Sequence, residues 1–336
     1  MADGATYKYV AANAFGSQEG TATLTMLTPG NALKWSENGN SGVWDTGGSA
    51  NWINQADSSQ TVFNIADQVL FDDTVGVPTT VGVSGTVWPS VVTVDSSVNN
   101  FTINGSGTFS GSGKLVKKGS STLNLNVPAS FTGSARIEGG LVKAGYYVFA
   151  NASSITITNN STMDFAGSTM VNHTPITVSG AGVNGQGAIF NSGYDLYGQV
   201  LDITLAGDTV FGGSTRWDLG SGSKISGPHR LTIDRSAYGE WNSTIIGADV
   251  AGITLTNGNL GIKNMDTSFQ NPATVLTVSS NSQLIYYSGG WNGSLHILSG
   301  GLAALLTAPA AFNGSTIVLE DRAEWQSYGN TNDETH

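Results

Sequence analysis

The chain has 336 residues, enough for one long solenoid or two ordinary domains, with 45 glycines and only 11% charged residues, against about 25% in an average globular protein. A net charge of −11 with no basic run beyond Lys117-Lys118 excludes a nucleic-acid groove, which needs clustered cations to displace phosphate counterions, and an anionic membrane surface with it. The absence of cysteine excludes disulfides and thiolate metal sites, and no apolar stretch is long enough to span a bilayer.

In chain order, Tyr7 to Ser17 and Thr21 to Leu27 read as one hairpin, too little to fold as a sandwich alone. They resemble the last two strands of an immunoglobulin-like domain. Residues 1–28 are therefore expected to be the tail of such a module or a capping hairpin, and residues 29–336 one parallel β-helix. No signal peptide is evident, and Met1-Ala2 reads as a start placed ahead of an internal fragment. After Pro29-Gly30 come Trp35, Trp44 and Trp52 among Asp45, Asp57, Asp67, Asp72 and Asp73. Large aromatics close the open end of a solenoid, so residues 29–108 read as cap and first coils. A sugar platform or a calcium site is the sharper alternative.

From Phe109 to Gly145 short apolar runs alternate with Gly, Ser or Asn breaks, the pattern of strand, turn and strand with period two. Each strand offers only two or three apolar side chains, so the unit must stack on copies of itself. The run from Gly111 to Leu125, then Phe131-Thr-Gly-Ser134 and Glu138-Gly-Gly-Leu-Val142, resembles the autotransporter-associated β-strand repeat of secreted and cell-surface β-helix proteins. Trp44-Asp45, Asn51-Trp52 and Val69 to Asp73 are similar to the segment that precedes such repeats. The resemblance implies an all-β, right-handed parallel β-helix from an exported, extracellular or cell-surface bacterial protein; on function it is nearly silent.

Beyond Gly145 the rhythm persists in Ile155 to Phe165, Ile203 to Phe211, Leu276 to Tyr286 and Ile317 to Trp325, each a strand, polar turn and strand. Gly180-Ala-Gly-Val-Asn-Gly185 matches the dinucleotide fingerprint in letters, but no helix follows to hold a pyrophosphate. His173, His229, His296 and His336 lack metal-ligand spacing, no cofactor motif is present, and calcium has no loop motif. Arg216 with Asp218, His229 with Arg230, and Asp234 with Arg235 and Glu240 are the charged groups that successive coils would bring to one face. Surface ion pairing is the simpler reading of them.

The aromatics carry more information. Tyr147, Tyr194, Tyr197, Trp217, Tyr238, Trp241, Tyr287 and Trp291 recur at roughly one coil or its multiples, and in one column they would stack on sugar rings. Trp217, Trp241, Tyr287 and Trp291 stand out because polar or glycine residues flank them, whereas Tyr286 and Trp325 fall on inward positions. The architecture and this column also resemble right-handed β-helix carbohydrate-binding modules attached to xylan-degrading enzymes. The expected function is thus a non-catalytic module that holds a polysaccharide-degrading catalytic domain on a neutral β-1,4-linked glycan such as xylan. The alternatives are a segment of a surface adhesin and a polysaccharide lyase or hydrolase.

Overall fold

A computed structural model describes residues 6–13, 15–23, 30–36, 42–74, 79–158, 160–264, 273–289, 292–306 and 316–327. The chain is all-β: a right-handed parallel β-solenoid of about 11 turns, with an N-terminal hairpin forming a sheet of its own. In the hairpin Thr6–Asn13 pairs antiparallel with Gly16–Thr23. Among the described residues no helix is long and apolar enough to cross a membrane.

Each full coil carries up to three strands, and each strand pairs in parallel with its counterpart one coil on. The first position runs through Gln68–Asp72, Val91–Asp95, Lys114–Lys118 and Ser134–Ile137. The second runs through Phe101–Asn104, Thr122–Asn126 and Leu141–Ala144. The third holds Thr108–Gly111 and Ala129–Phe131 in the early coils. In the later coils it holds Leu196–Gln199, Trp217–Leu219, Gly239–Asn242, the end of Gly252–Lys263, and Ser282–Tyr286. Each recurring segment from Ile155, Ile203, Leu276 and Ile317 spans two consecutive strand positions of its coil, the first two the first and second positions and the last two the second and third.

Period-two alternation builds the core. Leu115, Leu123, Leu125, Ala135, Ile137 and Val142 point inward and are buried, while Asn124 faces out and donates to Thr102 Oγ1 of the previous coil (3.2 Å). Coils approach so closely at their corners that a Cβ on Gly113 or Gly133 would fall inside contact distance of a backbone carbonyl of the preceding coil. These positions accept only glycine.

Near the N-terminal end of the solenoid three tryptophans pack against one another. Trp35, Trp44 and Trp52 are buried, with Trp35 and Trp52 edge to face at 4.9 Å and Trp44 5.4 Å from Phe63. The five aspartates around them hold turns. Asp45 accepts from the Ser49 amide (2.6 Å), Asp57 from Ser59 (2.9 Å), Asp67 from Asn31 and Asn64 (2.7 Å each) and Asp72 from Thr74 (3.0 Å). Asp73 takes the Ser97 and Asn99 amides at 2.8 and 2.9 Å. The Ser96 hydroxyl and these amides hold its carboxyl well below the usual range. Such bonds stabilise turn backbone, which is the role of a cap.

Alternation also forces one lysine inside. With Leu115 inward and Val116 outward, Lys117 points into the core in register with Val94 and Ile137. Its ammonium donates to the carbonyls of Lys118, Gly119 (2.9 Å) and Gly139 (3.5 Å). Burial pulls this amine down to about 8, against the attraction of Asp95 and Asp73. The unfolded chain then binds more protons between the two pKa values, so stability rises across that window. Thermal unfolding from pH 7.5 to about pH 10 should show wild type gaining relative to Lys117→Met as pH increases. A constant gap would place the charge in water.

Candidate functional site

The structure places seven of the eight predicted aromatics in three groups. Trp217 and Trp241 are corrections: both are buried in the core and neither offers a ring face to a ligand. Trp217 packs 5.5 Å from Phe165 and 5.3 Å from Phe211, and its Nε1 donates to Gly212 O (2.7 Å). The physical reason is the strand period. In Trp217–Leu219 the inward phase holds Trp217 and Leu219, and Leu219 is paired with Trp241. Polar flanks are therefore what an inward residue of a strand carries, because its neighbours point to the opposite, outer face. Tyr286 is inside and Trp325 half-buried against the core, as their positions imply, and Trp291 lies outside the described residues.

The second group stands at a corner between coils. Tyr147 is 57% exposed, as is Tyr146, and Tyr194 is 87% exposed. The Tyr147 amide donates to Ser168 Oγ (3.3 Å) on the next coil. The neighbouring Gly167 amide donates to Asn191 Oδ1 (3.1 Å) on the coil after that. Buried Asn191 then donates to the carbonyls of Tyr194 (2.9 Å) and Arg216 (3.0 Å). Tyr147 and Tyr194 are thus two coils apart, about 10 Å at the strand spacing. Asp164, also buried, accepts from Ser192 N and Oγ at 2.9 and 2.5 Å and from Ala166 N at 2.9 Å. The corner's backbone is held from inside. Tyr146 and Tyr147 both sit at positive φ, 48° and 56°, a region that bulky residues rarely occupy and that costs of order 1–3 kcal/mol each.

The third group lines the outer surface of the third strand position. Tyr197 is 62% exposed, and its hydroxyl donates to Asp195 Oδ2 (3.4 Å). The Arg216 guanidinium lies between two rings, 4.7 Å from the centroid of Tyr197 and 4.5 Å from that of Tyr238. It forks onto Asp218 through Nε (3.0 Å to Oδ1) and Nη2 (2.7 Å to Oδ2), with Glu240 at 3.7 Å. Asp218 also accepts the Glu240 amide (2.8 Å). Burial pushes the Asp218 carboxyl up, and the Arg216 bonds offset this only in part. The Tyr238 hydroxyl reaches Glu240 Oε2 (3.1 Å) and Tyr287 Oη (3.3 Å). Burial first, then Tyr287 and Glu240, hold this phenol far above its ordinary range. The two phenols converge over Gly261, where a Cβ would collide with Tyr238 Oη and lie 3.0 Å from Tyr287 Cε2.

Of the charged groups expected on one face, Arg216, Asp218 and Glu240 meet. His229 lies instead near Asp208 (4.0 Å). Asp234 is exposed while its neighbour Arg235 turns into the core. There Arg235 donates from Nη1 to Trp217 O (2.8 Å), and burial pulls it down to about 10. Asn191, Asp164 and Gly261 were not singled out in the sequence; an Asn or Asp at the end of an inward strand phase was the signal for the first two.

Asp218 is forked by Arg216 and Glu240 accepts from Tyr238, so both carboxylates are engaged by neighbouring side chains. Among the described residues no group of three or more His, Cys, Asp or Glu is placed to hold a metal. The arrangement offers ring surface at the corner beside a fixed ridge of hydrogen-bonding groups. Searches of known protein families, curated proteins and solved structures find no match to this chain.

Proposed function

We propose that this chain is a non-catalytic carbohydrate-binding β-helix whose ligand is a neutral β-1,4-linked glycan such as xylan, and that it serves to hold a polysaccharide-degrading enzyme on its substrate. The observation that carries this reading is the exposed set of Tyr146, Tyr147 and Tyr194 at the corner with Tyr197 on the adjoining strand. Four rings are more than half exposed on two coils separated by one, and two of them sit in a strained backbone conformation. Strain of this kind concentrates where a ligand uses the side chain. Sugar rings present CH faces to aromatics and hydroxyls to polar neighbours, and Asp195 and the ridge beside Tyr197 supply the latter. The acidic surface suits an uncharged chain better than a polyuronate.

Affinity electrophoresis through gels containing xylan, mixed-linkage glucan, galactomannan or homogalacturonan tests the reading. Retardation is expected on at least one neutral glycan and not on homogalacturonan. Tyr194→Ala and Tyr147→Ala should each weaken it about fivefold, near 1 kcal/mol, with little change in unfolding temperature. No retardation on any neutral glycan, or full retention in both variants, would refute it. Hydrolysis is the second reading, favoured by the raised Asp218 carboxyl beside Glu240; new reducing ends in the same mixtures would establish it.

A further inference from the structure

Far from the tyrosine corner, at the turn between the third and first strand positions of the early coils, Trp88 borders an open hollow of about 660 Å3, within the usual range of about 300–1,000 Å3 for ligand pockets. Trp35, Trp44, Trp52, Trp217 and Trp241 are buried, whereas Trp88 is 40% exposed, with Ile65 beside it also exposed. The chain keeps this ring in place and uncovered. Ala66, at φ 71°, donates its amide to Trp88 O (2.9 Å), and Ser90 donates from Oγ to Ala66 O (2.6 Å) and from N to Asp67 O (3.0 Å). The backbone at Trp88 and just after it is thereby pinned. Opposite lies Gly111 at φ 98°, where a Cβ would just touch the indole, 3.4 Å from Cδ1. The walls are Ile65 and Pro89, the rim is Gln68 and Ser112, and no lining residue is charged.

We infer that the Trp88 hollow is a second ligand site, separate from the tyrosine corner, that takes one or two neutral sugar rings against the indole. An apolar floor bearing one aromatic face, neutral amide and hydroxyl groups at the rim, and no charge to balance fit a pyranose, which has CH faces and peripheral hydroxyls. A charged ligand would lose water there and gain no counter-charge. The hollow shares no residue with the corner, so it stands whether or not the corner binds glycan.

The test uses the full chain labelled with 5-fluorotryptophan, its Trp88 19F line assigned through Trp88→Phe. Xylobiose, cellobiose, mannobiose, galacturonate and indole are titrated to about 10 mM, which detects millimolar binding. A saturable shift confined to the Trp88 line with at least one neutral disaccharide is expected, and none with galacturonate. It should survive Tyr194→Ala and vanish in Ser112→Phe, which fills the exposed rim without touching the core. No saturable shift with any of the three disaccharides, or saturation by indole alone, overturns the inference.

Discussion

Trp217→Ala is expected to lower stability by about 3–5 kcal/mol, the cost of emptying a large aromatic site in a packed core. The ring fills the space between Phe165 and Phe211, and its Nε1 is the partner of Gly212 O. Its loss leaves that carbonyl unpaired and uncovers the buried Arg235 guanidinium, now 5.1 Å from the indole. Trp217→Phe keeps most of the volume and loses the hydrogen bond, so about 1–2 kcal/mol is expected. Denaturant unfolding followed by circular dichroism reads both. An alanine variant as stable as wild type would mean that the ring lies outside the core. Tyr194→Ala, by contrast, should stay within about 0.5 kcal/mol of wild type, which separates the core rings from those on the surface.

Arg216→Ala should cost about 3 kcal/mol at neutral pH, the low end for breaking a buried pair, because the Arg216 side chain keeps 25% of its surface in water. The variant strands Asp218, which burial already holds above the ordinary carboxylate value. Without the guanidinium that carboxyl moves further up, and the folded variant then binds more protons than the unfolded chain over the window just above the ordinary value. Its stability therefore falls relative to wild type as pH rises from about 4 to about 7, and the gap closes again on acidification. Thermal melts of both proteins across that range decide it. A gap independent of pH would mean that Arg216 acts through its stacking between Tyr197 and Tyr238 alone.

The fold was legible because the repeat is local. Leu123, Leu125 and Val142 alternate with outward polar residues and meet glycine at each corner, and that suffices to stack coils. The burial of Trp35, Trp44 and Trp52 was legible too, as large rings at one end of a narrow core. The site was legible only in part. Tyr194 and Tyr197 emerged as exposed, yet Trp217 and Trp241 were given to the surface on the polarity of their flanks. In a strand those flanks report the opposite face. Lys117 hid by the same rule, since a charged letter in an inward phase looks like surface until the register is known. Arg216, Asp218 and Glu240 meet on the face expected of them, whereas the contact of Tyr238 with Tyr287 spans two coils, and coil lengths vary too much for sequence spacing to pair those residues.

Asn191 bonds to Gly167, Tyr194 and Arg216 at once, riveting three consecutive layers in the middle of the spiral. In a one-dimensional stack, where each layer otherwise touches only the next, such a rivet interrupts the propagation of melting. Fraying that begins at the partly exposed last described strands, Ile317–Leu319 and Glu324–Ser327, would travel inward layer by layer and stall there, leaving the tyrosines on that stretch among the last parts of the surface to lose their shape.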